Sequence, residues 1–436
     1  MVTTGIKVQL SACRGCARCI KVCPTEAMRV LDGKVMIIPE LCVDCGECIR
    51  KCEDRAILIN EDNWRLLASQ DSTLIAADPA FYVQTRGYSC PEVFSSRLKE
   101  AGLEDITPWT SLAFDVTAYA IAKEIEKRGP EGLPLISTYC PSVIRLIQIN
   151  YPELVGRFVL VDSPLETAVS LWREDTGRGD DVTLIAPCPA KVALVRSPEG
   201  RPKSSMKYAV SIQNVVRDLL AGGVEVDQPV EPCGGDLRYL LWSLRGGESK
   251  HVSAFCNRPI RTISVAGLRN TMDLLRELEL GRLEGVDYIE CRACDLGCIG
   301  GVGNLESRFL THLRLDHIDV EWTMTDQESE AVNRWYESEI WKLSAPLKAR
   351  QRLPLDQDLG QAMVRLREMN QIYAELPHID CGSCGRPSCK ALAEDVVRGN
   401  GEATDCIFKL RERIYELARE VAELSSRSPH AFNRKR

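Results

Sequence analysis

The sequence lacks several features that would assign it to common classes of protein. No apolar run approaches the roughly 18 residues that a membrane-spanning helix needs, and the first residues contain no signal-peptide core. The net charge is -7 and no run of basic residues interrupts it, so the composition gives no indication of nucleic-acid binding. We therefore expect a cytoplasmic protein with neither a membrane nor a nucleic acid as its partner.

Cysteine, in contrast, is abundant. The chain has 20 cysteines in 436 residues, and without a secretion signal they indicate metal ligation in a reducing compartment rather than disulfides. Eight of them form two copies of one spacing, in which three cysteines at i, i+3 and i+6 are followed by a fourth. The copies are Cys13, Cys16, Cys19, Cys23 and Cys42, Cys45, Cys48, Cys52.

This spacing predicts two [4Fe–4S] clusters. Three thiolates of each run bind one cluster and the fourth ligates the other, so Cys52 completes the first cluster and Cys23 the second. Zinc sites use pairs of cysteines rather than paired runs of four, which makes zinc and a disulfide framework poor alternatives. The chain should therefore carry low-potential electrons. We also expect it to be oxygen-sensitive, because exposed clusters of this kind lose iron.

Beyond these runs the sequence predicts an α/β protein. Short apolar runs at 74–77, 135–137, 158–161, 182–186 and 286–290 alternate with helical patterns at 114–128, 142–151, 211–220 and 268–280. Such alternation predicts helices packed on mainly parallel sheets. The expected organisation is a 2[4Fe–4S] ferredoxin module at 1–62, an α/β body at 70–345, a helical Fe–S module at 355–406, an amphipathic helix at 407–427 and a tail at 428–436.

A third cysteine set lies near the carboxyl end and is followed by a coiled-coil pattern. The set is Cys381, Cys384, Cys389 and Cys406. After it, apolar residues recur at intervals of 3-4-3-4-3, which is typical of the seam of a left-handed coiled coil. Two interpretations fit: a helix that packs on its own domain, and a homodimer formed through the helix. The apolar residues are Ile407, Leu410, Ile414, Leu417, Val421 and Leu424.

Four further cysteines stand where apolar runs end. They are Cys140 in Ser-Thr-Tyr-Cys-Pro-Ser, Cys188 in Ala-Pro-Cys-Pro-Ala-Lys, and Cys294 and Cys298 in Cys-Arg-Ala-Cys-Asp-Leu-Gly-Cys. An α/β sheet usually presents its site at strand ends. A single cysteine there is most often a small buried hydrophobe, but that role does not account for four. Thiolates from three loops can together hold one more cubane cluster.

In order and spacing, these three loops resemble the signature segments of the [FeFe]-hydrogenases, over roughly residues 1–340. The resemblance implies that Cys140, Cys188, Cys294 and Cys298 hold the [4Fe–4S] part of an H-cluster. Cys298 would bridge to a diiron subsite that carries CO, cyanide and a dithiolate, and Lys191 matches a lysine that hydrogen-bonds a cyanide ligand. The positions that the resemblance places around the subsite are Pro79, Ala80, Ser163, Pro164, Gly234 and Gly235. The C-terminal cysteine set is similar to a module of sensory hydrogenases and of other electron-transfer subunits.

The chain departs from the family next to the expected subsite. Tyr139 replaces a cysteine that relays protons, and the two relay glutamates correspond to Ile121 and Glu124. With an unperturbed pKa near ~10, a tyrosine is a poorer relay at neutral pH. Arg292 and Ala186 replace methionines. An arginine facing a cluster would raise its reduction potential and could bind an anion.

Two other thiols have open roles. Cys291 could compete as a ligand, bind a second metal or be a spectator, and Cys233 is a candidate functional thiol beside Gly234. Either protons take another route, with Tyr139, Cys233 or Glu290 as candidates, or the diiron unit is modified or missing.

Three functions are consistent with this sequence. The first is reversible H2 oxidation and proton reduction, or H2 sensing, at an H-cluster that exchanges electrons through [4Fe–4S] clusters with a redox partner. That partner would be a ferredoxin, a flavoprotein or a signalling protein. The second is a reductase of another small substrate that lacks the diiron subsite, with Arg292 and Cys291 near its cluster. The third is an electron-transfer or redox-sensing subunit.

Overall fold

The structure is a computed structural model that describes residues 4–69, 73–84, 91–129, 132–221, 237–318, 320–350 and 354–427. It is a mixed α/β protein, as the sequence predicts. The strands are β1 (Ile6–Val8), β2 (Met28–Leu31), β3 (Lys34–Ile37), β4 (Ile57–Ile59), β5 (Thr73–Ala77), β6 (Leu103–Asp105), β7 (Leu135–Ile136), β8 (Val182–Ala186), β9 (Tyr208–Ser211), β10 (Thr262–Ala266) and β11 (Tyr288–Arg292). The helices are α1 (Arg18–Val22), α2 (Glu47–Lys51), α3 (Trp64–Ala68), α4 (Pro91–Glu100), α5 (Thr107–Lys127), α6 (Pro141–Asn150), α7 (Pro164–Thr176), α8 (Pro189–Arg196), α9 (Ile212–Ala221), α10 (Gly247–Phe255), α11 (Leu268–Glu279), α12 (Arg308–Asp316), α13 (Asp326–Glu337), α14 (Leu359–Glu375), α15 (Cys389–Val397) and α16 (Ile407–Ser426). Among these described helices, none is long and apolar enough to cross a membrane.

The chain forms two compact units. Unit 1 comprises Met1–Lys7, Cys42–Arg50 and Ile57–Arg350, and unit 2 comprises Val8–Leu41, Lys51–Ala56 and Gln351–Arg436. The second cysteine run therefore belongs to unit 1 except for Cys52, whereas the first run and the C-terminal set belong to unit 2. This division cuts across the ferredoxin module expected at 1–62, and the other expected domain boundaries stay predictions.

Unit 1 is built around two parallel sheets. The four-stranded sheet has the order β6-β5-β8-β9 and the three-stranded sheet the order β10-β11-β7. In register, Leu74 is opposite Val182 in the first sheet and Tyr288 is opposite Leu135 in the second. Every residue of β5 and of β8 is buried, which is usual for parallel strands covered on both faces. The long helix α5 packs along α7 beside the four-stranded sheet.

Several strand predictions need correction. The run at 158–161 forms isolated bridges only, between Phe158 and Ile136 and between Val161 and Lys342. Strand β11 begins two residues later than the predicted run. The sequence analysis missed β6, β9 and β10, because β6 is three residues long with two acids and β10 is only half-buried along its length. Their pairing depends on neighbouring strands rather than on a local apolar pattern.

Unit 2 joins the hairpin β2–β3 to the C-terminal helices. The backbone N–H of Val30 donates to the carbonyl of Gly385 at 2.8 Å, and a side chain at Gly385 would place its Cβ 1.8 Å from the Val30 carbonyl oxygen. Asp395 accepts from the buried guanidinium groups of Arg29 at 2.8 Å and Arg386 at 3.1 Å. These contacts fix the C-terminal Fe–S segment onto the hairpin that follows the first cysteine run.

Candidate functional site

The three central cysteine loops all leave carboxyl ends of parallel strands. Cys140 follows β7 and precedes α6, and Cys188 follows β8 and precedes α8. Each is followed by proline at the first helical position, where its missing N–H is not needed. Cys294 and Cys298 follow β11. Because β7 and β11 are neighbours in one sheet, the topology brings Cys140 close to Cys294 and Cys298, whereas Cys188 comes from the other sheet.

The four thiols form one electrostatically interacting group. Burial raises the pKa of Cys294 well above its usual value, and the neighbouring Cys188, Cys140 and Cys298 raise it further. Burial likewise raises the pKa of Cys188 to about 12, with contributions from Cys298 and Cys140. Thiols in this environment ionise readily only when a metal replaces the proton. A set of four cysteine thiolates fits a [4Fe–4S] cluster, whose irons these four residues would hold.

Close backbone packing brings the last loop against the second. A side chain at Gly301 would place its Cβ 2.3 Å from the Pro187 carbonyl oxygen, and the N–H of Gly303 donates to that same oxygen at 2.8 Å. Gly297, just before Cys298, has a φ of +105°, which favours glycine. These glycines therefore set the distance between the Cys188 and Cys298 loops.

Lys191 lies in a buried ion pair. Its Nζ is 2.5 Å from Oδ2 of Asp78, and the two side chains are 6% and 0% exposed. Burial lowers the pKa of Lys191, but Asp78, Cys298 and Tyr139 together outweigh it, so the pKa is raised well above its usual value. Asp78 also accepts from the N–H of Ala80 at 3.0 Å, which holds the turn at Pro79 and Ala80 against this pair. Lys191 is therefore protonated, and the carboxylate of Asp78 balances its positive charge.

Tyr139 lies between two cations. Its ring centroid is 3.8 Å from Nζ of Lys191 and 4.4 Å from Cζ of Arg292. The ring also meets Trp242 edge-on, with centroids 5.2 Å apart. The hydroxyl is buried and has no hydrogen-bond partner among the described residues. A buried donor without a partner is costly, so this hydroxyl is available to a group that the protein binds.

Two carboxylates balance Arg292. Its Nη2 is 2.7 Å from Oε2 of Glu248 and 3.4 Å from Oε1 of Glu290, and all three side chains are essentially buried. Glu248 also accepts from Ser137 Oγ at 2.8 Å and from Tyr288 Oη at 2.6 Å. Burial raises the pKa of Glu248, and the Glu290 charge raises it further. The positive charge of Arg292 is therefore compensated at Nη2, whereas its buried Nε and Nη1 have no hydrogen-bond partner among the described residues and can donate to a bound group.

Other predicted site residues have local structural partners. Glu290 accepts from the N–H groups of Gly246 and Ser249 at the beginning of α10, and Glu124 pairs with Lys127 at 3.1 Å. Burial raises the pKa of Cys291 well above its usual value, which favours a neutral thiol. Proton-relay roles for these residues stay predictions.

The remaining predicted positions divide into described and undescribed ones. Ser163 precedes Pro164, the first residue of α7, and the neighbouring Asp162 and Glu166 both pair with Arg201 at 2.8 Å. Cys233, Gly234 and Gly235 lie outside the described residues.

The second cysteine run packs directly on the central loops. Asp44, between Cys42 and Cys45, forms a buried ion pair with Arg145, which lies in α6 behind Cys140. Nη2 of Arg50 donates to the carbonyl oxygen of Gly300 at 2.6 Å. Sequence reasoning missed Asp44, Asp78 and Glu248. Of these three, only Asp78 could have been recognised from its local sequence, since it is an acidic residue directly after the buried strand β5.

In unit 2 the first run and the C-terminal set are neighbours. Arg14 pairs with Asp54 and Arg18 with Glu53, which connects the loop of Cys13–Cys19 to that of Cys52. A Cβ at Gly382 would lie 3.4 Å from Ile20, in the helix that contains Cys19. Hydrogen bonds from Ser383 lower the pKa of Cys381, in contrast with the central cysteines. These cysteines fit two further [4Fe–4S] sites whose loops touch.

Three models of known protein families match the chain. The model of the iron-only hydrogenase large subunit, C-terminal domain, matches residues 72–229 and 243–302, half of the chain. The chain belongs to this family. A 4Fe–4S dicluster domain matches residues 5–53 and an Fe–S cluster segment matches residues 376–408. It is therefore a divergent, hydrogenase-like iron–sulfur protein with an N-terminal ferredoxin module and a C-terminal Fe–S module.

Individual relatives are distant or short. A variant of the [FeFe]-hydrogenase HydA1 from Chlamydomonas reinhardtii is 16% identical, with a TM-score of 0.49 over 65% of this chain and 96% of that chain. A solved structure reporting stepwise assembly of the [FeFe]-hydrogenase H-cluster is 16% identical, with a TM-score of 0.47 over 66% of this chain and 97% of that one. Subunit gamma 2 of the acetyl-CoA decarbonylase/synthase complex from Methanosarcina mazei is 37% identical over 54 residues, 12% of this chain and 11% of that protein. The chain thus matches about a tenth of the length of the first curated relatives.

Proposed function

We propose that this protein is an iron–sulfur oxidoreductase in which electrons reach a central [4Fe–4S] cluster held by Cys140, Cys188, Cys294 and Cys298. The observation that carries the proposal is the convergence of these four thiols from three strand-end loops. The second cysteine run packs on those loops through Arg145 and Arg50. The central cluster therefore has a cluster-binding neighbour with which it can exchange electrons.

The electron route follows from the pairs of neighbouring cysteine sets. In unit 1 the Cys42–Cys48 loop adjoins the central loops, and in unit 2 the C-terminal set adjoins the first run. We propose that a soluble redox partner, such as a ferredoxin, a flavoprotein or a signalling protein, exchanges electrons at unit 2. Oxygen would inactivate the protein through its more exposed clusters.

At the centre, the side chains favour a cluster that works without a diiron subsite. The positions that would contact such a subsite by the family resemblance are Tyr139, Lys191 and Arg292, and here they pack on one another at 3.8 and 4.4 Å. Asp78 already neutralises the lysine that would hold a cyanide ligand. We infer that these residues fit the cubane better than the diiron unit. Another small substrate, or a partner protein, would then receive the electrons.

Reversible H2 oxidation and proton reduction, or H2 sensing, is the second candidate. It is favoured by the retention of Cys298, the expected bridging thiolate, and of Lys191 one turn after Cys188. A bound diiron unit would supply the open iron at which H2 is split. Proton transfer would then need a group other than Tyr139, because burial holds the pKa of its hydroxyl well above its usual range.

Infrared spectroscopy distinguishes the two. Holoprotein is expressed with hydrogenase maturation enzymes, purified anaerobically, and its iron content and infrared spectrum are measured together. We expect iron for all cubanes and no bands from iron-bound CO or cyanide. Such bands would instead establish the diiron unit and H2 chemistry.

The ligand assignment has its own control. Cys298→Ser should remove about four irons per chain, the content of one cubane, whereas Cys256→Ser should remove none. Cys256 is a suitable control because it is partly buried, and burial raises the pKa of its thiol to about 11. It directly follows α10 and is not part of the three loops. Unchanged iron in Cys298→Ser would refute the central site.

A further inference from the structure

The tail helix α16 exposes an apolar seam that its own unit leaves uncovered. In the described part of the chain, none of the 20 residues of Ile407–Ser426 is buried. The six seam residues are between 43% and 64% exposed: Ile407, Leu410, Ile414, Leu417, Val421 and Leu424. A contiguous aliphatic stripe of this length on a helix normally lies against a partner. The opposite side carries ion pairs within the helix, such as Lys409 with Glu412 at 2.9 Å.

The seam is complementary to itself in the antiparallel direction. When two copies of α16 are aligned head to tail about a two-fold axis, Ile414 meets Leu417 of the second copy. The same alignment pairs Leu410 with Val421 and Ile407 with Leu424, so that all six layers are aliphatic. A one-heptad slip in either direction would lose two of these layers and expose the leftover aliphatic side chains.

The charges beside the seam agree with this alignment. Arg413 and Glu420 both occupy the g position, one residue before Ile414 and Val421. In an antiparallel pair g positions face each other, so Arg413 of each copy lies opposite Glu420 of the other. A parallel pair would instead place Arg413 opposite Ala418 and Glu420 opposite Ser425, which gives no attraction. Charges at these flanking positions set the orientation of coiled coils.

We propose that α16 is the interface of a homodimer, in which two copies of the helix form a short antiparallel coiled coil. The occupant of the seam is a second copy of this chain. A helix of 20 residues is about 30 Å long at 1.5 Å per residue. Because Cys406 directly precedes the helix, the antiparallel arrangement places the two C-terminal cluster sites at opposite ends of the pair. Each copy then keeps an electron port of its own.

The oligomeric state of the anaerobic holoprotein tests the interface. Light scattering over a range of concentrations should give twice the chain mass of 48.6 kDa. Leu417→Lys, in the central layers, should give the single-chain mass with unchanged iron content. Tyr415→Lys, which is 79% exposed and off the seam, should remain dimeric. A single-chain mass for the wild type, or a dimer that survives Leu417→Lys, would overturn the proposal.

Charge reversal tests the orientation. Glu420→Arg should raise the dimer dissociation constant at least about threefold, because two symmetric attractions become repulsions. Adding Arg413→Glu should restore the constant to within about twofold. Glu412→Arg makes the same charge change on the outer face and should have no effect. If Glu420→Arg behaves like Glu412→Arg, or if the double variant stays weak, the antiparallel arrangement is wrong.

Discussion

The ion-pair clusters around Arg292 and Arg201 in unit 1 and around Asp395 in unit 2 differ in their ratio of arginines to carboxylates. In unit 1, Arg292 is shared by Glu248 and Glu290, and Arg201 by Asp162 and Glu166. In unit 2 the ratio is reversed, because the buried Asp395 is shared by Arg29 and Arg386. The second partner of Arg386, Asp405, is 39% exposed.

The difference indicates separate roles for the clusters of the two units. If Glu248 and Glu290 are both ionised, the excess carboxylate beside Arg292 opposes reduction of the central cluster, and its electron donor then needs a low potential. Cations around the C-terminal site favour its reduced form. Among the described cysteines only Cys16, in unit 2, is exposed, whereas the four central ones are buried or half-buried. Unit 2 therefore suits exchange with a partner, and unit 1 suits chemistry shielded from water.

Removing one cluster ligand from each unit should give the largest difference in stability between the two units. Cys188→Ser and Cys384→Ser should each lose about four irons. All seven tryptophans lie in unit 1, so their fluorescence reports unfolding of that unit alone. We expect the urea transition seen by tryptophan fluorescence to move to lower urea in Cys188→Ser only, because ligation contributes to folding. Equal shifts in both variants would show that the two units unfold together.

Cutting one buried ion pair in each unit should give the next largest effect. Arg145→Met leaves Asp44 buried without its counter-ion, which costs about 3–5 kcal/mol. Arg29→Met leaves Asp395 with Arg386 at 3.1 Å, so the cost is smaller, about 1–3 kcal/mol. Arg145→Met should move the tryptophan fluorescence transition to lower urea. Arg29→Met should affect only the transition seen by the cluster absorbance of unit 2. A larger loss of stability from Arg29→Met would contradict this account.

The sequence could predict the cysteine sets but not the charges that surround them. Cysteine spacing is a local pattern, and neighbouring parallel strands bring their loops together, so the sequence could relate Cys140 to Cys294 and Cys298, which follow the adjacent strands β7 and β11. Asp78 and Lys191 are 113 residues apart, and no local pattern relates them. Arg292 illustrates the same limit, because its position before Cys294 shows that it faces the site but not that Glu248 compensates it.

The carboxylates around Arg201 in unit 1 should make the free energy of unfolding depend on pH. Burial, together with the Glu166 charge, raises the pKa of Asp162 to about 7, compared with ~3.9 in an unfolded chain. Between these values the folded protein binds more protons than the unfolded one, so the free energy of unfolding falls as the pH rises. The loss is complete above the folded pKa and absent below the unfolded one.

Asp162→Asn should remove this slope from unit 1. We expect the wild type to lose roughly 3–4 kcal/mol by tryptophan fluorescence between these limits, at up to 1.4 kcal/mol per pH unit, and the variant to lose clearly less. Asp181→Asn is the control, since that carboxylate is 56% exposed beside Lys207. A slope that persists in Asp162→Asn would assign it to another carboxyl, of which Glu248 is the first to examine.

The smallest expected effect concerns Tyr139. Its hydroxyl has no partner among the described residues, so Tyr139→Phe should change the free energy of unfolding by no more than about 1 kcal/mol. If the hydroxyl donates to the central cluster, the reduction potential of that cluster should nevertheless fall, because hydrogen bonds to cluster sulfurs raise it. An EPR-monitored redox titration of the variant measures this shift against the other clusters, which serve as internal controls. An unchanged central potential would mean that Tyr139 acts through its ring alone, as the surface on which Lys191 and Arg292 pack.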